Sequence, residues 1–154
     1  MAIKIAVETP LQDEVRDMVA ALNDYLRPLS PIEFQFQMTA EEMAGPGTIV
    51  FVARDETGEA VGMGSLKIHD HGLGEVKRMY THESARGRRV GAQLVERIIL
   101  EARNKRLSRL VLETGVGEGF EPAHRLYARR GFSLCGPVLD YPDSGYSTFF
   151  EMAI

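Results

Sequence analysis

Apolar residues recur along this chain with two periods, and the changes of period mark out its elements. Ile3 to Val7 alternates in the manner of a short strand, after which Leu11, Val15, Met18, Val19 and Leu22 fall on one face of a helix. The spacing predicts a helix running to about Leu26 with that face in the core. Thr9-Pro10-Leu11-Gln12 has the composition of a capping box with proline at the first helical position, and Arg27-Pro28 ends the helix. Residues 28–38 carry two prolines and alternate Phe34 with Phe36, which reads as an extended loop with apolar anchors. Thr39-Ala40-Glu41-Glu42 is a second capping box, opening a short helix that Gly45-Pro46-Gly47 stops.

The middle of the chain returns to the two-residue period. Thr48 to Ala53 and Ala60 to Ile68 read as an antiparallel hairpin around the turn Asp55 to Glu59. A turn from His69 to Gly74 leads to a third strand, Glu75 to Thr81. Then the period lengthens: Leu94, Val95, Ile98, Ile99 and Ala102 share one helical face, with Arg97, Glu101 and Arg103 opposite. Leu107 to Glu113 is the next strand, so residues 75–113 form a β-loop-α-β unit with parallel strands. A glycine-rich loop, Gly115 to Phe120, precedes a short helix with Pro122 at its start, arginines in its last turn and Gly131 at its end. Phe132 to Cys135 and Ser147 to Met152 are closing strands. No repeat or linker interrupts the pattern, which predicts one domain over residues 1–154.

Composition narrows the class. A content of 44% hydrophobic and 26% charged residues is that of an ordinary globular protein. Cys135, the single cysteine, cannot form an internal disulfide and reads as a small core hydrophobe in a cytoplasmic protein. No window approaches a membrane span. With a formal net charge of −4, the Arg86-Gly87-Arg88-Arg89 cluster is a local basic spot and argues against a nucleic-acid partner. His69, Asp70 and His71 lack further ligand residues nearby, so no metal is expected.

The basic spot lies between a strand and a helix. Free backbone N–H groups at a helix start, with the positive end of the helix dipole behind them, receive phosphate oxygens. Glycine permits close approach and arginine supplies counter-charge. The spacing matches neither G-x-x-x-x-G-K-[ST] nor G-x-G-x-x-G, which excludes the nucleoside-triphosphate loop and the dinucleotide fingerprint.

The stretch Arg86, Gly87, Arg88, Arg89, Val90, Gly91 resembles motif A of the Gcn5-related N-acetyltransferase (GNAT) superfamily, which reads Arg or Gln, two residues, Gly, one residue, Gly or Ala. Arg89 stands at the first glycine position, a departure expected to be tolerated with a helical backbone there. Ala123, Leu126, Tyr127, Gly131 and Phe132 match the family's second stretch in register, with Phe120 at the position of its asparagine. The two stretches lie at the expected separation.

The resemblance implies an α+β fold with a central, mostly antiparallel sheet, one parallel pair of strands splayed around the cofactor, and helices on both faces. It implies acetyl-CoA as donor and an amine of a small molecule or peptide as acceptor, with direct attack through a tetrahedral intermediate. In this likeness Met79, Tyr80 and Thr81 meet the pantetheine arm by main chain, and a backbone N–H at Met79 or Tyr80 supports the oxyanion. Arg86, Gly87, Arg88, Arg89, Val90, Gly91 and Ala92 take the pyrophosphate. Tyr127 is the expected general acid toward the thiolate. Glu75, eleven residues before Arg86, stands where histone-modifying members place their general base. For Glu75 a solvated strand-end charge is the plain alternative, with His69, His71 or water as other bases. Phe34, Phe36 and Met38 are either acceptor-wall residues or core. A homodimer through the closing strands is compatible with the family. An idle acyl-CoA-binding sensor or scaffold is the alternative from another class.

Overall fold

A computed structural model describes residues 2–154 of the chain. Its strands are β1 (Lys4–Val7), β2 (Thr48–Arg54), β3 (Ala60–Ile68), β4 (Leu73–Thr81), β5 (Arg109–Gly115), β6 (Ser133–Cys135) and β7 (Ser147–Ala153). The helices are α1 (Asp13–Leu26), α2 (Ala40–Met43), α3 (Val90–Asn104) and α4 (Glu121–Arg129). All seven strands form one sheet in the order β1-β2-β3-β4-β5-β7-β6, antiparallel everywhere except between β4 and β5. This is the expected mixed sheet with a parallel pair at its centre.

Alternation along the strands supplies two apolar faces, and each is covered by helices. On one face Val15, Met18, Val19 and Leu22 of α1 and Met43 of α2 pack with Val50, Val52 and Met63. On the other, Leu94, Val95, Ile98, Ile99 and Ala102 of α3 pack with Phe51, Leu66, Val76, Leu110 and Leu112, and Tyr127 of α4 joins them. A smaller cluster of Val111, Val138 and Phe149, with Cys135 packed against it, covers the closing strands. The helical faces read from the sequence are therefore the ones buried, with one exception.

Leu11 is 49% exposed, because α1 starts at Asp13 and not at Thr9. The Thr9 hydroxyl accepts from the N–H of Leu11, a local turn that competes with a helix start, and the Gln12 amide donates to the Thr9 carbonyl and to Glu8. Glu8 is in turn paired with Arg54 at 2.8 Å, which holds this segment against β2. The second capping box forms as expected: Thr39 accepts from the N–H of Glu42, and Glu42 accepts from that of Thr39. β4 begins two residues before the expected Glu75, and β5 runs from Arg109 to Gly115, two residues later than expected. Leu107 is tucked against the core ahead of the strand instead of opening it.

Candidate active site

The site lies where β4 and β5 part. Glu75 and Val111 are the last of three residue pairs that join them, yet β4 stays paired with β3 to Thr81 and β5 with β7 to Gly115. Beyond that point the inner edge of each strand has no partner strand, and backbone groups left so must be satisfied by something else. A cavity of about 220 Å³ occupies the split, lined by residues of both strands, of α1, α4 and the 28–38 loop.

A bulge in β4 decides which side chains reach it. Arg78 takes φ +55°, and the register against β3 slips there, Ser65 facing Lys77 but Met63 facing Tyr80. Such a bulge breaks the alternation of faces. Lys77 and Arg78, though neighbours in the strand, both line the cavity.

Four ionisable groups from the two strands gather there. Glu75 is 3% exposed, so it is not a solvated strand-end charge. His69 Nε2 lies 2.9 Å from one carboxylate oxygen, Lys77 Nζ lies 3.4 Å from the other, and Tyr141 donates its hydroxyl to that same oxygen. Lys77 also donates to the Tyr141 hydroxyl at 2.7 Å. Among the described residues the Glu113 carboxylate has one hydrogen-bond partner, Ser147, which donates at 2.7 Å. Burial pushes the Glu113 pKa upward, against the weaker pull of Ser147 and Lys77. Arg78 is buried; its Nη2 donates to Asn23 Oδ1 and its Nε has no partner among the described residues. Burial alone pulls its pKa down to about 10.

Tyr127 reaches the cavity from α4 while its ring sits edge-on to Phe132 and tilted against Phe150. It is a packing residue and a cavity residue at once. Burial pushes its phenol pKa upward, so the hydroxyl stays protonated through the neutral range. Phe34 and Phe36 line the cavity, stacked on Tyr146 and edge-on to Tyr141, whereas Met38 belongs to the α1 core. Phe120 lines the cavity with its ring over Gly115, where a Cβ would stand 2.3 Å from it.

The basic loop lies beyond the end of β4. α3 begins at Val90 with no side chain capping it, and the N–H of Gln93 is the first to bond back, to the Arg89 carbonyl at 3.0 Å. The N–H groups of Val90, Gly91 and Ala92 are thus left without intrahelical partners. Gly87, at φ +83°, has open space where a side chain would be. Arg88 pairs with Glu56 at 2.8 Å, while Arg86 and Arg89 are exposed. A Cβ on Gly91 would stand 3.2 Å from Leu126, so glycine here lets α3 run close to α4. The Val90 side chain is core, leaving only its backbone for the loop.

Arg89 does not keep the right-handed backbone expected of it. It sits at φ +60°, ψ +27°, the left-handed conformation that glycine reaches without steric cost. Met79 turns its side chain onto Gly64 and Tyr80 packs toward the α1 core, so along the split these two offer main chain. His69 is engaged with Glu75 and His71 is exposed; among the described residues no group of three His, Cys, Asp or Glu side chains could hold a metal ion. The sequence reading missed Arg78, Asn23, Glu113 and Tyr141. Glu113 left a signal, a charge at the end of the apolar run Leu110 to Leu112; Tyr141 left none, lying in a turn-rich stretch remote from its partners.

Residues 15–132 match the Acetyltransferase (GNAT) family. The chain belongs to the GNAT family. It is 41% identical over 150 residues to the IAA acetyltransferase of Azospirillum brasilense, covering 97% of this chain and 96% of that one. It is 37% identical over 137 residues to the uncharacterized N-acetyltransferase YsnE of Bacillus subtilis, covering 87% and 90%. A solved structure of a Klebsiella pneumoniae protein, provisionally described as an acyl-CoA N-acyltransferase, superposes with a TM-score of 0.82 at 28% identity, covering 98% of this chain and 97% of that one. This GNAT protein is accordingly an N-acetyltransferase, whose fold implies an acyl-CoA co-substrate and an acceptor.

The left-handed Arg89 generates a stability prediction. A side chain in that conformation costs about 1–2 kcal/mol, part of which glycine gives back through its freer unfolded state. Arg89→Gly should raise the unfolding free energy by about 0.5–1 kcal/mol, read as a higher urea midpoint at unchanged slope. A lower midpoint would mean that the Arg89 side chain contributes packing that outweighs the backbone cost.

Proposed function

We propose that this GNAT protein, with residues 1–154 as one transferase domain, moves the acetyl group of acetyl-CoA to a primary amine of a small molecule or peptide. The observation that carries the reading is the split itself: an unpaired strand edge leading from the buried Glu75 and the half-buried Glu113 to an uncapped helix start with exposed arginines. The residues present fit the donor. Its pantetheine amides pair with the main chain of Met79, Tyr80 and Thr81 as an added strand does. Its pyrophosphate meets the amides of Val90, Gly91 and Ala92 and the open backbone at Gly87, with Arg86, Arg88 and Arg89 around it.

In the reaction the amine nitrogen bonds to the thioester carbonyl carbon, the C–S bond breaks, the amine loses a proton and the sulfur gains one. A backbone N–H at Met79 or Tyr80 supports the charge that develops on the carbonyl oxygen. Tyr127 gives the proton, or a hydrogen bond, to the departing thiolate. The amine's proton goes to a carboxylate. Three donors occupy Glu75, whereas Glu113 has one partner and a raised pKa, so Glu113 takes the proton and Glu75 positions Lys77 and Tyr141. Glu75 as the direct base is the second reading, favoured by its seat at the apex of the split. An idle acyl-CoA-binding module would have no use for two carboxylates drawn out of solvent into its cleft. No described helix is long and apolar enough to cross a membrane, and the cytoplasm is the compartment where this reading finds its donor.

Tyr127→Phe keeps the ring contacts and removes only the donor. Turnover should fall about a hundredfold with little change in acetyl-CoA affinity, measured as CoA release and by titration. Turnover within about threefold of wild type would reduce Tyr127 to packing.

The pH profile assigns the base. A base works deprotonated, so with its pKa raised by burial Glu113 loses function as pH falls through a value above that of an ordinary glutamate. Wild-type kcat/KM should show that acid limb. Glu113→Gln should lower kcat/KM about a hundredfold near neutrality and lose the part of the limb that the carboxylate adds to the amine's own titration, while Glu75→Gln keeps it. The reverse pattern would hand the role to Glu75.

A further inference from the structure

Arg78 is the group the mechanism leaves unused. It is 8% exposed, it lines the cavity, and the bulge at its own left-handed backbone turns it there beside Lys77. Among the described residues no carboxylate lies within salt-bridge distance of it; its only partner is the neutral Asn23 Oδ1, and its Nε is buried without one. Lys77, by contrast, is answered by Glu75. A buried cation without a counter-charge is costly, and the planar guanidinium is shaped to receive a carboxylate by two parallel hydrogen bonds. Around it the cavity carries Phe34, Phe36 and Tyr141, with Glu113 among the lining groups.

We propose that the acceptor is an amino acid with an apolar side chain, its carboxylate held by Arg78, its amine offered toward Glu113 and its side chain against Phe34 and Phe36. This rests on the acetyl transfer proposed above and narrows it to a substrate class. A site that pairs a buried charge rejects analogues lacking the partner, because the charge is then left alone. Asn23 fixes the guanidinium from the side of α1, so it is a positioning residue.

The test compares L-leucine, L-methionine and L-phenylalanine with their methyl esters and their decarboxylated amines, scoring CoA release from acetyl-CoA. The free acids should be preferred in kcat/KM by about a hundredfold or more. In Arg78→Gln that ratio should collapse to a few-fold, and Arg78→Lys should restore part of it. Esters or simple amines used as well as the acids by the wild type would overturn the proposal, with no variant needed. So would a preference that persists in a folded Arg78→Gln. Thermal stabilisation by acetyl-CoA separates this inference from the reading beneath it. If acetyl-CoA raises the melting temperature and no member of the panel is acetylated, the acceptor class is wrong and the donor site stands. If acetyl-CoA has no effect on melting, the donor site itself fails.

Discussion

After Glu75 and Val111 the backbones of β4 and β5 cease to bond to each other, while each keeps its outer neighbour for several residues more. The outer pairings hold the two strands rigid as they diverge. What results is a wedge of space at the centre of the sheet, walled by helices on both faces and edged by backbone that lacks a partner. Backbone groups along such an edge must find partners in side chains, water or a ligand, and an extended ligand can pair with them as an added strand does. The open edge is thus free to pair with an extended ligand.

The wedge is also where the protein gathers charge away from solvent, with Glu75 and Arg78 buried and Lys77 and Glu113 half-buried. Glu75, Lys77, Arg78 and Glu113 come from two adjacent strands, and the bulge at Arg78 brings two consecutive cations to one side. Glu75 and Lys77 answer each other, with His69 and Tyr141 also on Glu75, and Glu113 accepts from the Ser147 hydroxyl. Arg78 has only a neutral amide, and burial draws its pKa down. Such desolvation is costly in a small domain whose net stability is modest, and it is at functional sites that a cost of this kind is retained.

How much of this was legible in the sequence depended on the range of the interaction. Periodicity placed the elements, and the loop from Arg86 to Gly91 could be read because strand, glycine and helix start are consecutive in the chain. The sheet's parallel pair followed from the β-loop-α-β pattern. Where local reading failed, a longer-range contact had won: Thr9 does not cap α1, because its hydroxyl serves a turn in a segment tied down through Glu8 to Arg54. The left-handed state of Arg89 is a backbone property that its side-chain type conceals. Arg78 and Glu75 have partners at Asn23 and Tyr141, 55 and 66 residues away, and no pattern in one sequence joins those positions. Phe34, Phe36 and Met38 were open between wall and core, and the fold divides them, two to the cavity and one to the core.

In the reading proposed above, acetyl-CoA completes the open edge of β4 and occupies the start of α3. Amide hydrogen exchange, measured residue by residue with and without saturating acetyl-CoA, tests it directly, because slowed exchange reports the amides that gain a partner. Residues 79–81 and 87–92 should gain protection, with the outer strands β1 and β6 unchanged. Saturation with acetyl-CoA that leaves both stretches exchanging at their free rates would contradict it.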